Sequence, residues 1–296
     1  MNCQKSRIVG EKLLPRITEK LEENNIEFAV IKGAINTFRL YDSIGERQFN
    51  DIDLLINKRD LHKVKDLLKS IGLQQKEENH VQTKYFEMVT HQTMPFEYED
   101  VSLLEGKINI DVNFGFAPNN MIKINSLVGD ILKRRCYVDV FGKKIPTLSP
   151  EDMFIYLLIH IWRDAIIIHK IKATKDIELY QYLELNQLMD RYPLDWKYIE
   201  EFCINNQLNE IVYFTLYHAL YISPRIEKYC GELYRKIEPA DKEYLSMFGN
   251  ENQEPKKWNI SFGERIFCLD RYNKLLEVYK PEDFEAFNNR EKIFKK

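Results

Sequence analysis

The 296-residue chain is poor in cysteine and lacks any cysteine spacing that indicates a metal or disulfide site. Its five cysteines are spread over the sequence without a Cys-x-x-Cys pair. A disulfide framework requires cysteines in pairs, and structural zinc sites usually take them two at a time at short spacing. We therefore expect free thiols in a reducing cytoplasm, at Cys3, Cys136, Cys203, Cys230 and Cys268.

Long apolar runs are lacking as well. No stretch of about 18 apolar residues occurs, which is the length that a membrane-spanning helix needs. The beginning of the chain, MNCQKSRIVGEKLLPRITEK, is too polar for a signal peptide. Apolar residues make up 44% and charged residues 30%, which is ordinary for a soluble globular protein. The sequence therefore predicts a soluble, cytoplasmic protein without a membrane partner.

The chain also lacks a large excess of charge of either sign. Its formal net charge is −3, so it exerts no general attraction on nucleic acid. A local basic groove would still be compatible with that charge. We interpret the basic runs at 133–135 and 143–144 as solvated turns; the alternative is that they hold a phosphate of a nucleic acid or a nucleotide. Nucleic acid is thus a possible partner that the net charge does not indicate.

One short stretch, Asp51–Ile56, carries the strongest chemical pattern in the chain. Side chains alternate across a strand, so Asp51 and Asp53 project from one face while Ile52 and Leu54 point to the other. Two neighbouring carboxylates repel each other and raise each other's pKa unless cations neutralise them. A hard divalent ion such as Mg²⁺ prefers oxygen ligands. The stretch therefore predicts a strand that contributes to a metal site.

A third carboxylate lies on another predicted strand. In residues 107–116, apolar and polar side chains alternate, which is typical of a half-buried strand, and Asp111 lies in the middle of the polar face. Carboxylates on adjacent strands can hold two Mg²⁺ ions that clamp the attacking and leaving oxygens of an in-line displacement. We expect Asp51, Asp53 and Asp111 to converge.

A tight turn is the predicted phosphate-binding element. The apolar run Phe28–Ile31 leads into Lys32 and Gly33, and a helix is expected to follow. A glycine lets the backbone approach a phosphate, and a helix N-terminus presents unpaired N–H groups to it. Lys32 and Arg47 are expected to neutralise the remaining phosphate charge.

The other elements predict a domain of mixed α/β structure followed by helices. Further helices are expected at 10–24, 34–41 and 60–71, strands at 83–93 and 96–104, and a hairpin at 136–141 and 143–147. From Ser149 onward, an N-cap, a proline and two acids open a mostly helical region. We place the domains at 1–148 and 149–296, and expect residues 292–296 to be disordered surface.

The segment VIKGAINTFRLYDSIGERQFNDIDLLI, residues 30–56, resembles the core motif of the uncharacterised nucleotidyltransferase family of the polymerase-beta superfamily. In that family, a Lys-Gly turn and an Arg-containing loop precede an Asp-hydrophobic-Asp strand. A later Ile-Asp-Leu-His strand supplies a third Asp, where this chain has Ile110-Asp111-Val112-Asn113. The likeness covers roughly residues 26 to 220, and motif matches of this kind are hypotheses that depend on structural context.

The resemblance implies an α+β fold: a polymerase-beta-like mixed sheet with flanking helices, followed by a helical C-terminal domain. It implies a Mg²⁺-dependent or Mn²⁺-dependent nucleotidyltransferase that moves a nucleoside monophosphate from an NTP, with ATP as the expected donor, to an unidentified acceptor. The catalytic and metal-binding residues implied are Asp51, Asp53 and Asp111. The nucleotide-binding residues implied are Lys32, Gly33, Ala34 and Arg47.

Two departures and two alternatives stay open. Many polymerase-beta relatives have Gly-Ser or Gly-Gly at the turn, whereas Ala34 offers no hydroxyl, and Asn113 replaces the histidine. A catalytically silent nucleotide-binding or assembly protein of the same fold is one alternative. A nucleotide-sugar glycosyltransferase is the other, because Asp-x-Asp also occurs there.

The helical half is expected to form the second wall of a cleft. A nucleotide site needs such a wall to exclude water and to orient the acceptor. The segment 150–220 interrupts its apolar pattern with charged residues that either face this cleft or solvate a turn between helices. These residues are Arg163, Asp164, Lys170, Lys172 and Lys175.

Overall fold

The computed structural model describes residues 2–75, 80–101, 103, 106–118, 121–249 and 255–278. The described chain forms two compact units. The first runs up to Phe154 and takes in Asp190–Leu194, and the second comprises Ile155–Met189 and the residues from Asp195 onward. The expected disordered tail at 292–296 lies outside the described residues, and the predicted boundary at 148 stays a prediction.

The first unit is built on a mixed sheet with helices around it. Its strands are β1 (Phe28–Ile31), β2 (Asp51–Ile56), β3 (Gln74–Gln75), β4 (Phe96–Glu99), β5 (Lys107–Asn113), β6 (Cys136–Val140) and β7 (Lys143–Thr147). The helices in this part of the chain are α1 (Asn2–Ile8), α2 (Leu14–Glu23), α3 (Gly33–Leu40), α4 (Leu61–Ser70), α5 (His80–Val89) and α6 (Val128–Lys133).

The sheet has the order β3-β4-β5-β2-β1-β7-β6. The pairs β2–β5 and β1–β7 are parallel, and the other neighbours are antiparallel. This arrangement puts β2 and β5 side by side in the middle of the sheet, with β1 next to β2. The predicted α+β fold with a mixed sheet, flanking helices and a helical region after it is confirmed.

The strands that carry the site follow from their side-chain patterns. Strand β1 is buried at every position, and β2 is buried at every position except its first. In β5, buried and less buried residues alternate from Lys107 to Asp111. The strands β1 and β2 have the predicted bounds, and β5 ends three residues earlier than predicted. The β6–β7 hairpin is also confirmed, and Phe141 and Gly142 both have positive φ at its turn.

Two predicted strands differ from the structure. The prediction of a strand at 83–93 is wrong, because residues 80–89 form helix α5. Aromatic and β-branched residues gave this segment strand propensity, and tertiary contacts override it: Glu87 accepts hydrogen bonds from Lys65 at 2.7 Å and Thr93 at 2.6 Å. The strand predicted at 96–104 is only four residues long, and Gly106, with φ of 70°, precedes its partner strand.

The N-terminal helix contains a π-helical turn, Val9–Leu13, between α1 and α2. Pro15 lies in the first turn of α2, and proline lacks an N–H and crowds the carbonyl four residues earlier. The N–H of Leu14 bonds instead to the carbonyl of Val9, five residues back. The helix predicted at 10–24 therefore exists, but it begins earlier and carries this irregular turn.

The segment Asp190–Leu194 belongs to the first unit, although it follows the sheet by some forty residues. The guanidinium of Arg39, which is 5% exposed, lies 4.7 Å from the ring centre of Tyr192. Arg39 also donates to the carbonyl of Leu148 at 2.9 Å, and Arg191 pairs with Asp42 at 2.6 Å. These contacts hold the returning segment on the first unit.

The region after the sheet is mostly helical. Its helices are α7 (Pro150–Ile166), α8 (Ile168–Lys172), α9 (Leu179–Arg191), α10 (Trp196–Asn205), α11 (Asn209–Ile222), α12 (Glu227–Lys236), α13 (Phe262–Phe267) and α14 (Arg271–Val278). Two short strands, β8 (Met247–Phe248) and β9 (Lys256–Lys257), pair with each other. None of the helices in the described ranges is long and apolar enough to span a membrane.

Some of the charged residues predicted for 150–220 are buried within the second unit. Arg163 and Asp164 are 5% and 2% exposed, and Arg163 donates two hydrogen bonds to the carboxylate of Asp164, at 3.0 and 2.9 Å. Lys170 lies 3.7 Å from the same carboxylate, whereas Lys172 and Lys175 are exposed. The first three therefore form an ion network, and the last two are solvated.

Candidate active site

The three predicted aspartates lie on one face of the sheet. In the parallel pair of β2 and β5, Asp53 is directly opposite Asp111, and Asp51 is opposite Asn109. Neighbouring strands are about 4.8 Å apart, and two residues along a strand span about 6.6 Å. Because registered positions of parallel strands face the same side, the side chains of Asp51, Asp53 and Asp111 share a small area.

Asp53 is the most deeply buried of the three, at 2% exposure. Its Oδ1 lies 2.7 Å from Nζ of Lys32 and accepts a hydrogen bond from Nδ2 of Asn113 at 3.2 Å. Burial raises the pKa of the Asp53 carboxyl, Lys32 opposes this increase, and the neighbouring charge of Asp51 adds to it. The buried carboxylate is therefore under-neutralised, and an additional cation near it would stabilise its charged form.

Lys32 has a backbone conformation that lysine rarely adopts. Its φ is 57° and its ψ is −144°, a region that glycine normally occupies. The residue directly precedes α3, and its carbonyl accepts the first helical hydrogen bond, from the N–H of Asn36 at 2.9 Å. This unusual turn joins β1 to α3 and directs the ammonium of Lys32 to Asp53. Strained backbone of this kind concentrates at functional sites.

Gly33 and Arg47 are in close contact. A Cβ atom added at Gly33 would lie 3.3 Å from Nη2 of Arg47 and 3.1 Å from Cβ of Phe49. Gly33 and Ala34 begin α3, so their N–H groups precede the first helical hydrogen bond. The turn thus combines backbone N–H groups with the guanidinium of Arg47, as an anion site requires.

The loop that carries Arg47 is held by the N-terminal helix. Lys5 donates to the carbonyl of Asn50 at 3.0 Å, and Ser6 donates to the carbonyl of Ile44 at 3.1 Å. The ammonium of Lys5 also lies 5.7 Å from the ring centre of Phe49. Helix α1 therefore positions both ends of this loop, a role that the sequence did not indicate.

The donor set suits a hard divalent ion, but the side chains are not arranged around one. Among the described residues, no group of three His, Cys, Asp or Glu side chains is placed to hold a metal ion. The ammonium of Lys32 supplies positive charge at Oδ1 of Asp53. Carboxylate oxygens are the ligands that Mg²⁺ prefers, so an ion here would use the other oxygen of Asp53 or displace the ammonium.

Asn113 is a site residue whose contribution the sequence did not reveal. It lies two positions after Asp111 on β5, is fully buried, and joins the two strands by donating to Asp53 and to the carbonyl of Leu54. The spacing of two residues predicts that Asn113 lies on the same face of β5 as Asp111. Its contact with Asp53, however, depends on the register between β2 and β5, which the sequence does not show. Asn113 therefore orients the carboxylate of Asp53.

Three solved structures are distantly similar to the chain. An antigenic nucleotidyltransferase-like protein from Paracoccidioides brasiliensis is 14% identical, with a TM-score of 0.49 over 74% of this chain and 90% of that one. ANT(2")-Ia in complex with adenylyl-2"-tobramycin is 13% identical, with a TM-score of 0.39 over 67% and 97%. The lincomycin-bound lincosamide antibiotic adenylyltransferase LnuA is 15% identical, with a TM-score of 0.35 over 60% and 95%.

No curated protein sequence matches the chain significantly. A family model does match, and its description is "uncharacterised nucleotidyltransferase". It covers residues 4–222, which is well over half of the 296 residues and includes β1, β2 and β5 with all of the candidate site. The chain therefore belongs to this family of uncharacterised nucleotidyltransferases.

Proposed function

We propose that the protein is a metal-dependent nucleotidyltransferase that moves a nucleoside monophosphate from an NTP, with ATP as the expected donor, to an acceptor hydroxyl. The observation that carries this proposal is the placement of Asp51, Asp53 and Asp111 on one face of the parallel β2–β5 pair. The chain's family membership supports the same reaction class. The acceptor is a small molecule, a peptide or a nucleic acid.

The reaction is an in-line displacement at the α-phosphorus. The acceptor oxygen forms a bond to this phosphorus, the bond to the bridging oxygen of the β-phosphate breaks, and pyrophosphate leaves. Mg²⁺, or Mn²⁺ in its place, would be held by Asp51, Asp53 and Asp111 and would supply charge neutralisation at the phosphates. We assign to the carboxylate of Asp111 the removal of the proton from the acceptor hydroxyl, because its side chain is only partly buried.

The turn after β1 is proposed to bind the leaving pyrophosphate. The N–H groups of Gly33 and Ala34 and the guanidinium of Arg47 meet there. The ammonium of Lys32 contacts Asp53, and we propose that it also binds a phosphate held at the turn. Such chemistry consists mainly of positioning and electrostatic stabilisation, so the loss of one group is costly.

The test is the Asp53→Asn variant, which keeps the shape of the side chain and removes its charge. We expect this variant to fold, to lose Mg²⁺-dependent binding of ATP in calorimetry, and to release pyrophosphate at least 100-fold more slowly across a panel of acceptors. Asp66→Asn is the matched control, because Asp66 is an exposed aspartate on α4. Activity of Asp53→Asn equal to that of the wild type would contradict the proposal.

The catalytically silent alternative is favoured by two observations. The ammonium of Lys32 lies against the carboxylate that would bind metal, and Ala34 provides no hydroxyl to a phosphate. This alternative predicts Mg²⁺-dependent ATP binding without pyrophosphate release for any acceptor. A nucleotide-sugar glycosyltransferase would instead prefer a UDP-sugar or GDP-sugar to a free NTP, which the same calorimetry measures.

The cytoplasmic location remains part of this proposal. All five cysteines are free thiols, at positions spread over both units, as a reducing compartment permits. Cell fractionation with an antibody to the chain tests the location directly.

A further inference from the structure

The second unit contains a cavity of about 320 Å³ that the proposed transfer reaction does not use. Its walls combine aromatic rings from two separate parts of the chain with two cationic side chains. The rings are Tyr217 and His218 on α11, Trp258, and Phe262 on α13, and the cations are Lys242 and Arg265. This volume lies at the lower end of the range for small-molecule sites.

The aromatic walls are packed against one another. The ring centres of His218 and Phe262 are 4.0 Å apart, and those of Tyr217 and His218 are 5.3 Å apart in an edge-to-face arrangement. Burial, together with the charge of Arg265, lowers the pKa of His218 to about 3. His218 is therefore neutral at physiological pH and contributes an aromatic surface, not a charge.

Arg265 is a buried cation with one unused donor group. The residue is 4% exposed, and its guanidinium stacks on Trp258, 4.3 Å from the ring centre. The hydrogen bonds that it donates use Nε and Nη2, which bind Asp176 and the carbonyl of Ala165. Within the described residues, Nη1 has no acceptor. Because Arg265 lines the cavity, this nitrogen is the donor that remains for a bound molecule.

The buried charges near this cavity do not balance. Asp176 is fully buried between Arg265, at 2.7 Å, and Arg271, at 2.9 Å, and Arg271 is 7% exposed. The other acceptors of Arg271 are backbone carbonyls, which carry no net charge. One carboxylate thus serves two guanidinium groups, and the cluster keeps an excess charge of one. Burial and the like charge of Arg271 lower the pKa of Arg265, against the attraction of Asp176.

An excess of buried charge is unfavourable unless another group compensates it. At the cavity, Lys242 does not compensate it, since its ammonium is itself positive and pairs with Glu238. An anion placed against Arg265 would both accept from Nη1 and balance the charge of the cluster. The surrounding rings would then contact the apolar part of the same molecule.

We propose that this cavity binds a small molecule that combines a flat aromatic ring with one anionic group. The ring packs against Phe262, His218 and Trp258, and the anionic group accepts a hydrogen bond from Nη1 of Arg265, with Lys242 nearby. The proposal does not rest on the transfer reaction, because every residue that it uses lies in the second unit.

The test uses calorimetry on the full chain with pairs of aromatic probes. Indole-3-carboxylate is compared with the neutral indole-3-carboxamide, and phenyl phosphate distinguishes a phosphate from a carboxylate. We expect saturable binding of at least one anionic probe, at least tenfold tighter than the amide. The Asp53→Asn variant should bind the probes with the affinity of the wild type, because Asp53 lies in the first unit and the cavity in the second. Probe binding therefore tests the cavity independently of the transferase proposal.

Matched variants locate the binding. Tyr217→Ala removes a wall of the cavity and should weaken binding at least fivefold, whereas Tyr229→Ala, on α12 and outside the cavity lining, should not. Lys242→Gln should reduce the preference for the anionic probe, and Lys257→Gln, at another exposed ion pair, should leave it unchanged. Circular dichroism confirms that each variant is folded.

Three results would overturn the proposal. One is the absence of saturable binding by any anionic probe at millimolar concentration. Another is equal affinity for the carboxylate and the carboxamide. The third is unchanged binding in both Tyr217→Ala and Ser246→Trp, since the second variant places a large side chain in the cavity wall.

Discussion

Replacing Lys32 tests two features of the candidate site at once, its ion pair and its backbone. Lys32→Ala removes the ammonium that lies 2.7 Å from Oδ1 of Asp53 but keeps a Cβ on a backbone with φ of 57°. Lys32→Gly removes the ammonium and the Cβ together. The difference between these two variants therefore isolates the backbone term, because both leave Asp53 without its lysine.

The magnitudes follow from burial. Asp53 is 2% exposed and Lys32 17%, so removal of the cation leaves a nearly buried carboxylate unpaired. Breaking a buried pair in this way costs about 3 kcal/mol or more, and we expect about 3 kcal/mol for Lys32→Ala at pH 7.5. A non-glycine residue in such a backbone conformation costs about 1–2 kcal/mol, so Lys32→Gly should be more stable than Lys32→Ala by that amount.

The unpaired charge of Asp53 lowers the free energy of unfolding more than the backbone strain does, and this electrostatic loss depends on pH in a defined direction. The pKa of Asp53 is raised in the folded protein, so its charged form opposes folding, and removal of Lys32 raises that pKa further. The cost is complete above the folded pKa, decreases as the pH falls from that pKa towards the lower unfolded value, and is absent below the unfolded value. Adding Asp53→Asn to Lys32→Ala removes the unpaired charge at every pH and should restore most of the lost stability.

Urea unfolding of the wild type, the three single variants Lys32→Ala, Lys32→Gly and Asp53→Asn, and the double variant Lys32→Ala/Asp53→Asn measures these differences. The Lys32→Ala and Asp53→Asn variants form the mutant cycle with the double variant. The strained-backbone interpretation is refuted if Lys32→Gly is no more stable than Lys32→Ala. The electrostatic interpretation fails if Asp53→Asn rescues nothing. Asp66→Asn in the Lys32→Ala background is the control, since Asp66 is exposed on α4.

Three further substitutions test other contacts. Gly33→Ala should displace the guanidinium of Arg47, because the new Cβ would lie 3.3 Å from Nη2, and should lower kcat/KM for ATP about tenfold without unfolding the protein. Asp152→Ala should destabilise the protein by about 1.5 kcal/mol in urea unfolding, because Arg134 donates to both of its buried carboxylate oxygens, whereas the Arg134 side chain is 40% exposed and regains water. Gly142→Ala should cost about 1 kcal/mol through backbone strain alone, because φ is 79° and no atom lies within 4 Å of the new Cβ.

The sequence predicts which residues belong to the candidate site because their patterns are local. The start of β2 and all of β5 alternate polar and apolar side chains, and this alternation defines which residues share a face. The pairing of Asp53 with Asp111 is not local, because the two residues are 58 positions apart and their register depends on the whole sheet. The family motif supplied this pairing as an expectation, and the structure places the two strands side by side.

The backbone of Lys32 was not predictable from the sequence. A left-handed turn is normally sought at a glycine, and Gly33 is directly adjacent. The structure puts the positive φ on the lysine, one residue earlier. The ion pairs of Asp176 were not predictable from the sequence either, because its partners Arg265 and Arg271 are 89 and 95 residues away.

Helix α5 shows how local propensity fails. Its segment contains aromatic and β-branched residues that favour strands, but Glu87 is the acceptor for both Lys65 and Thr93. These contacts connect a helix, a loop and α4, and none of them leaves a periodic signal in the sequence. The predicted roles of Lys32, Gly33, Ala34, Arg47 and the three aspartates remain predictions until the variants above are measured.

The return of Asp190–Leu194 to the first unit has a consequence for recombinant fragments. The sheet and its site are not encoded by one continuous stretch of the gene, because Tyr192 covers the buried guanidinium of Arg39. A fragment that stops after Phe154 would lack Tyr192 and expose this guanidinium, which within the described residues donates its hydrogen bond to the carbonyl of Leu148. Exchange of the first unit between relatives therefore has to include both pieces, or to replace Arg39 with an apolar residue such as methionine.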